Sequence, residues 1–244
     1  VLEEIFEHIR KFDKSSKIFI GIQHNSIPET EEILRKTSRN LNIECRRVPV
    51  HMMIDSDASS FITALELYAD SDMDFELVFF VHSKGITSGN DPLRKQMYDL
   101  IFDKKVLGEK LSDPKVGSYS PYLTITDVKE DINKMGCMSI FNPKLCTQTV
   151  LEYYYINTFF VMKNHVLGDF IESVSPKFFN TNISEYSDRW MMERDFSHIA
   201  DMQGYLPSAS WFHGNYSTNF TIPTTHKYHE KLDKWNKENE NERN

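Results

Sequence analysis

The alternation of apolar and polar positions divides the first hundred residues cleanly. Leu2, Ile5, Ile9 and Phe12 recur at helical spacing, which predicts a helix over 2–12. Residues 17–23 (KIFIGIQ) form a short apolar run with Gly21 inside it and read as the first core strand. His24, Asn25 and Ser26 follow, and then Pro28 opens a helix over 28–40, where a missing N–H costs nothing. Residues 43–50 predict a second strand, weakened by two arginines. Phe61, Leu65 and Tyr68 mark one face of a helix over 58–70, and residues 75–82 are the next strand. This strand-helix-strand-helix-strand order opens a parallel α/β sheet.

Beyond Pro92 the pattern is helical over 93–103, with Leu93, Met97, Leu100 and Ile101. Residues 115–120 read as a strand, 137–141 as a short apolar piece, 153–162 as a strongly β-prone run and 163–173 as a helix. The longest helix is expected over 185–203, where Trp190, Met191, Arg194, His198 and Ile199 share overlapping faces. Residues 205–222 look irregular and aromatic, and 224–244 a charged helix or tail. No internal repeat and no strong break in composition divides the chain.

Composition narrows the function classes. The 244 residues suit one large domain, and 40% hydrophobic with 13% aromatic content can fill its core. A formal charge of −8 argues against a general nucleic-acid binder. Cys45, Cys137 and Cys146 are odd in number and lack Cys-x-x-Cys spacing, so free thiols in a reducing, cytoplasmic compartment are expected. No apolar run reaches membrane-spanning length. The first residue is Val1 rather than Met, which fits a domain of a longer chain.

Four constellations carry candidate chemistry. In His82-Ser83-Lys84-Gly85 a strand ends in a glycine-containing turn. Its backbone N–H groups, the point charge of Lys84 and the fork of Arg94 together suit a phosphate or diphosphate; the plain alternative is a solvated turn. Asp55-Ser56-Asp57 matches the Asp-x-Asp pattern that holds Mg²⁺ or Mn²⁺ on diphosphate oxygens. It precedes the helix near Ala58, however, so capping by Asp57 is the preferred reading. Glu193, near Asp188, Arg189 and Asp195 on the long helix, is a candidate general base, against a surface ion pair with Arg189. Trp211-Phe212-His213-Gly214-Asn215-Tyr216 suits a loop that stacks on a sugar or base, with His213 available to a metal or phosphate. No nucleophile elbow, Walker phosphate loop, dinucleotide fingerprint or metalloprotease helix is present.

KIFIGIQHN, SSFITALELYADSDMDFELVFFVHSKGITS, LRKQMYDLIF and YYYINTFFVMKNHVLGDF, in that order, resemble a known pattern. It is that of bacterial and viral glycosyltransferase-like proteins whose hallmark is a strand ending in His-Ser/Thr-Lys-Gly, related to the rhamnan-synthesis protein F group. The resemblance spans roughly residues 17–215. Arg94 and Met97 match the helix that follows the hallmark, 156–161 a later strand, and Trp190 and Glu193 a later helix. The chain has Ile156 where that strand has Gly, and Phe159 and Phe160 where it has Trp.

The resemblance implies a GT-A-type fold: an α/β, mostly parallel central sheet flanked by helices, with a helical or irregular acceptor side. It implies one domain over 1–223, with a donor half to about 120 and an acceptor half beyond. The implied activity is transfer of a sugar from a nucleotide-sugar donor to a glycan or protein acceptor. His24, Asn25, His82, Ser83, Lys84, Gly85 and Arg94 are the expected donor-side residues, and Lys84 supplies charge to the leaving diphosphate. Asn157, Asp188, Trp211 and His213 are expected on the acceptor side, with Glu193 as the base. Mn²⁺ or Mg²⁺ is an open cofactor, its candidate ligands Asp55, Asp57 and His213. A non-catalytic glycan- or nucleotide-binding module and a nucleotidyltransferase are the rival readings.

Overall fold

The helical spacing at the amino terminus is realised as α1 (Leu2–Phe12), which buries Ile5, Phe6 and Ile9. The computed structural model describes residues 2–23, 28–37, 40–48, 57–72, 74–81, 91–127, 151–155, 159–173, 196, 198–200, 203–213 and 219–220. After α1 come β1 (Lys17–Ile22), α2 (Pro28–Thr37), β2 (Asn42–Arg47), α3 (Asp57–Ala69) and β3 (Leu77–Phe80). Pro28 does open its helix. α3 begins at Asp57 itself, a one-residue difference that is within the fraying of any helix end. Next are α4 (Asp91–Ile101), α5 (Lys104–Lys110) and β4 (Val116–Asp127). β5 (Leu151–Tyr155), β6 (Phe160–Lys163), α6 (Asn164–Ser173), β7 (Leu206–His213) and β8 (Asn219–Phe220) complete the order.

The chain is α/β, but its sheets are mixed and not mostly parallel. β1 and β2 pair in parallel from Lys17↔Asn42 to Ile22↔Arg47. The six-stranded sheet has the order β3-β6-β4-β7-β8, with β5 also on β4. β4 and β7 are parallel, whereas β6 is antiparallel to both β3 and β4. β3, β4 and β7 therefore run in one direction. The insertion of β6 between β3 and β4 is what makes the sheet mixed. β4 also runs through position 120, so the expected donor and acceptor halves share one sheet.

Strand alternation assigns the two faces. Val78 and Phe80 of β3, Phe160 and Met162 of β6 and Phe19 of β1 pack with Phe61, Ile62 and Leu65 of α3 and Val166, Leu167 and Phe170 of α6. On the opposite face Leu77 and Phe79 of β3 and Val161 of β6 meet Ile101 of α4 and Leu107 of α5. Ile18, Ile20 and Ile22 of β1 lie on that face with Ile5, Phe6 and Ile9 of α1 and Met97 and Tyr98 of α4. The parallel pair and the larger sheet thus share both helical coverings. Rings carry much of this burial: Phe80 stacks on Phe160 with centroids 4.3 Å apart, and Phe19 meets Phe75 edge-on at 6.2 Å.

Other expectations shift in extent. The stretch 205–222, read as irregular, contains β7 and β8. The single run 153–162 is divided between β5 and β6. α5 was not expected; Asp103 caps it, its carboxylate accepting from the backbone N–H groups of Lys105 and Val106. Of the long helix expected over 185–203, Phe196 and 198–200 are described and helical, and its candidate residues Asp188 and Glu193 lie outside the described residues. The 137–141 piece and the charged tail lie outside them too.

Candidate functional site

The site is built where β1 ends. Gly21 lies so close to α3 that a Cβ added there would sit 2.1 Å from the carbonyl oxygen of Ser60. Only glycine allows that approach. Two residues on, Gln23 Nε2 donates to Ser60 Oγ at 2.7 Å. The carboxyl end of β1 is thereby fixed to the first turns of α3, whose amino terminus carries the positive end of the helix dipole.

β3 ends beside it. Val81 packs in one cluster with Ile22 of β1, Met97 and Tyr98 of α4, Tyr122 of β4 and Phe159. Phe80 is paired with Phe160, so the chain leaves the sheet after Val81 next to the point where it arrives at Phe159. On the far side of β4, Trp211 is in register with Tyr122 and His213 with Thr124. His213 also pairs with Asn219 of β8. The carboxyl ends of β3, β4 and β7 and the amino end of β6 therefore face one way. Ligands in open α/β sheets bind outside such carboxyl ends.

A register mismatch marks the same end. β5 and β6 lie end to end along one edge of β4, with Leu123 opposite Tyr155 and Tyr119 opposite Val161. From Tyr155 to Val161 the chain takes two more steps than β4 takes from Leu123 to Tyr119, while β4 stays regular against β7 from Tyr119 to Thr124. Two more residues therefore lie between Tyr155 and Val161 than the register of β4 requires. Ser120, fully buried, holds the chain where β6 begins: its Oγ lies 2.6 Å from the Phe159 carbonyl oxygen and donates to it. The next residue, Pro121, has no N–H to offer the ladder.

Of the residues expected on the donor side, Arg94 is the one whose side chain is described, and it faces a protein carboxylate. Its Nε and Nη2 both donate to Glu4 Oε2 on α1, at 3.2 Å and 3.0 Å. Arg94 is 7% exposed and Glu4 24%, so the pair is largely withdrawn from water. Tyr98 lies within reach of both charges. Burial raises its hydroxyl pKa well above the ordinary value, with Glu4 adding to the rise and Arg94 opposing it. His24, Asn25, His82, Ser83, Lys84, Gly85, Asn157 and Asp55 lie outside the described residues, as do Asp188 and Glu193. What the structure fixes is where their segments join the sheet: 24–27 after Gln23, 82–90 between Val81 and Asp91, and 156–158 between Tyr155 and Phe159.

Gln23, Ser60, Glu4 and Ser120 were not anticipated. Gly21 within an apolar run and Pro121 within a strand were the available signals, one for close approach and one for an interrupted ladder. Glu4 had none, since a lone acid beside an apolar helical face is ordinarily solvated. Asp57 opens α3 and His213 closes β7. Among the described residues no group of three or more His, Cys, Asp or Glu is gathered to hold a metal ion, and no helix is long and apolar enough to cross a membrane. Cys45 is a free, exposed thiol. No protein-family model and no curated protein matches this sequence.

Proposed function

We propose that this chain is a glycosyltransferase domain of GT-A type that takes a sugar from a nucleotide-sugar donor and passes it to a glycan or protein acceptor. The observation that supports this reading is a convergence of strand ends. The segments bearing His24 and Asn25, His82 to Gly85, and Asn157 join the ends of strands from both sheets that meet in one cluster at Ile22, Val81 and Phe159, with Trp211 and His213 a strand further on. In this reading the donor diphosphate lies beyond β1 and β3. Lys84 and the backbone N–H groups of the turn stabilise the negative charge that grows on it. Glu193 accepts the proton of the acceptor hydroxyl as its oxygen bonds to the anomeric carbon and the bond to the diphosphate oxygen breaks. Direct displacement inverts the anomeric centre. If Mn²⁺ or Mg²⁺ takes part, Asp55, Asp57 and His213 are the residues to hold it, and the cation would neutralise diphosphate charge.

Isothermal titration with a panel of nucleoside diphosphates, with and without Mn²⁺, tests the reading. Binding that Lys84→Ala weakens by tenfold or more, together with slow hydrolysis of one nucleotide sugar, supports it. Absence of binding by every nucleotide sinks it. Binding without turnover of any nucleotide sugar converts it to a non-catalytic binding module.

A further inference from the structure

We propose that Arg94 is a positioning residue, not a ligand of the diphosphate, and that Glu4 on the amino-terminal helix is its functional partner. The functional half of this proposal rests on the nucleotide reading above; the structural half does not. Arg94 stands in the first turn of α4, just after segment 82–90 gives way to the helix at Asp91. Two of its N–H donors converge on one oxygen of Glu4, in the first turn of α1. A guanidinium that is 7% exposed is held by the partner that neutralises it, because a charge withdrawn from water is tolerated only when paired. The helices are joined below that point by rings: His8 lies 5.5 Å from Tyr98 and 5.7 Å from Phe102, and Phe12 meets Phe79 of β3 at 5.1 Å. α1 thus fixes α4 by a charge pair at its start and by aromatic packing along its length. Setting the first turn of α4 sets where segment 82–90, with Lys84, must end.

On the nucleotide reading, the pair gives the amino-terminal helix a share in donor binding. A direct ligand and a positioning residue separate in a double-mutant cycle with Glu4→Gln, Arg94→Gln and the double variant. Two readouts are taken on the whole chain: amide hydrogen exchange, and affinity for the nucleoside diphosphate that the wild type binds best. The expected result is that each single variant speeds exchange in 91–98 by tenfold or more while amides of β6 stay protected. Each single variant also weakens nucleotide binding by a similar factor, and the double variant is no weaker than the worse single one. Unchanged exchange in 91–98 for Glu4→Gln overturns the proposal, whether or not any nucleotide binds. So does wild-type affinity in Glu4→Gln beside lost affinity in Arg94→Gln, because that pattern belongs to a direct ligand. Faster exchange in Glu4→Gln, in a protein whose wild type binds no nucleotide, upholds the clamp and rejects the nucleotide reading alone.

Discussion

Replacing Gly21 by alanine tests how tightly the carboxyl end of β1 is built onto α3. The added Cβ would lie 2.1 Å from the Ser60 carbonyl oxygen and 2.7 Å from its carbonyl carbon and Cα. All three are backbone atoms, so no rotamer change relieves the overlap. Ordinary contact begins at 3.4 Å, so strand and helix must separate by about 1.3 Å. Overpacking of this kind costs about 1–3 kcal/mol. The separation also stretches the 2.7 Å bond from Gln23 to Ser60 past hydrogen-bonding range, a further loss of roughly 0.5–1.5 kcal/mol. The expected destabilisation is about 2–4 kcal/mol, a large fraction of a typical domain's stability. Urea denaturation reads it as a lower midpoint at unchanged slope. Gly108→Ala is the matched control: that glycine lies within α5 and a Cβ there meets nothing within 4 Å. It should stabilise the protein by about 0.5–1 kcal/mol, since alanine is the better helix former. A Gly21→Ala protein within about 0.5 kcal/mol of wild type would refute the close packing.

Three further outcomes are expected. Ser120→Ala removes the buried donor to the Phe159 carbonyl and should cost about 1–3 kcal/mol; an unchanged urea midpoint would show that the carbonyl finds another donor. Asp103→Ala strips the cap from α5 and should cost about 1 kcal/mol, with exchange accelerated at the amides of Lys105 and Val106 first. Burial pushes the hydroxyls of Tyr68 and Tyr119 up to about 12 from an ordinary value of 10.0. Below pH 10 both tyrosines keep their protons in the folded and unfolded chains, and their contribution to stability is intact. As the pH rises from 10 towards about 12 the unfolded chain ionises first, so stability falls. Urea midpoints measured across that window should drop in the wild type and drop less in a Tyr68→Phe, Tyr119→Phe double variant.

The amino-terminal half was legible because its signals are local. Leu2, Ile5, Ile9 and Phe12 gave α1 its bounds, Pro28 opened α2, and the apolar runs of β1 and β3 fell where they were expected. Sheet partners are not local. The first three strands alternate with helices and so implied a parallel sheet, yet no residue of β3 or β4 records that β6, reached only after residue 159, comes to lie between them. β7 was hidden by its own sequence. Pro207, Ser208 and Ser210 interrupt its apolar pattern, while its hydrogen bonds come from β4 alongside. Arg94 shows the same limit for a side chain. Its position after a polar turn suited an anion, and only the packing of α1 on α4 showed that a carboxylate of the chain itself already occupies that fork.

The register mismatch between β5 and β6 shows how a sequence pattern can hide geometry. Residues 153–162 read as one strand because β-prone residues follow one another without a turn signal. Side chains alternate with a period of two, so a one-residue slip would have reversed the faces on either side and broken the pattern. An excess of two residues keeps both flanks in phase. Phe160 and Met162 therefore keep to the α3 and α6 face as in an unbroken strand, with Val161 on the other. Periodicity is blind to such a mismatch. The register against β4 detects it, through a mismatch of two residues between Tyr155 and Val161. Deleting two residues from 156–158 should then bring β5 and β6 into one register against β4 and leave the fold near wild-type stability. A deletion variant that denatures at the wild-type urea midpoint would show that the two extra residues are not needed to close the sheet. One that loses several kcal/mol of stability would show that the excess residues are needed to close the sheet.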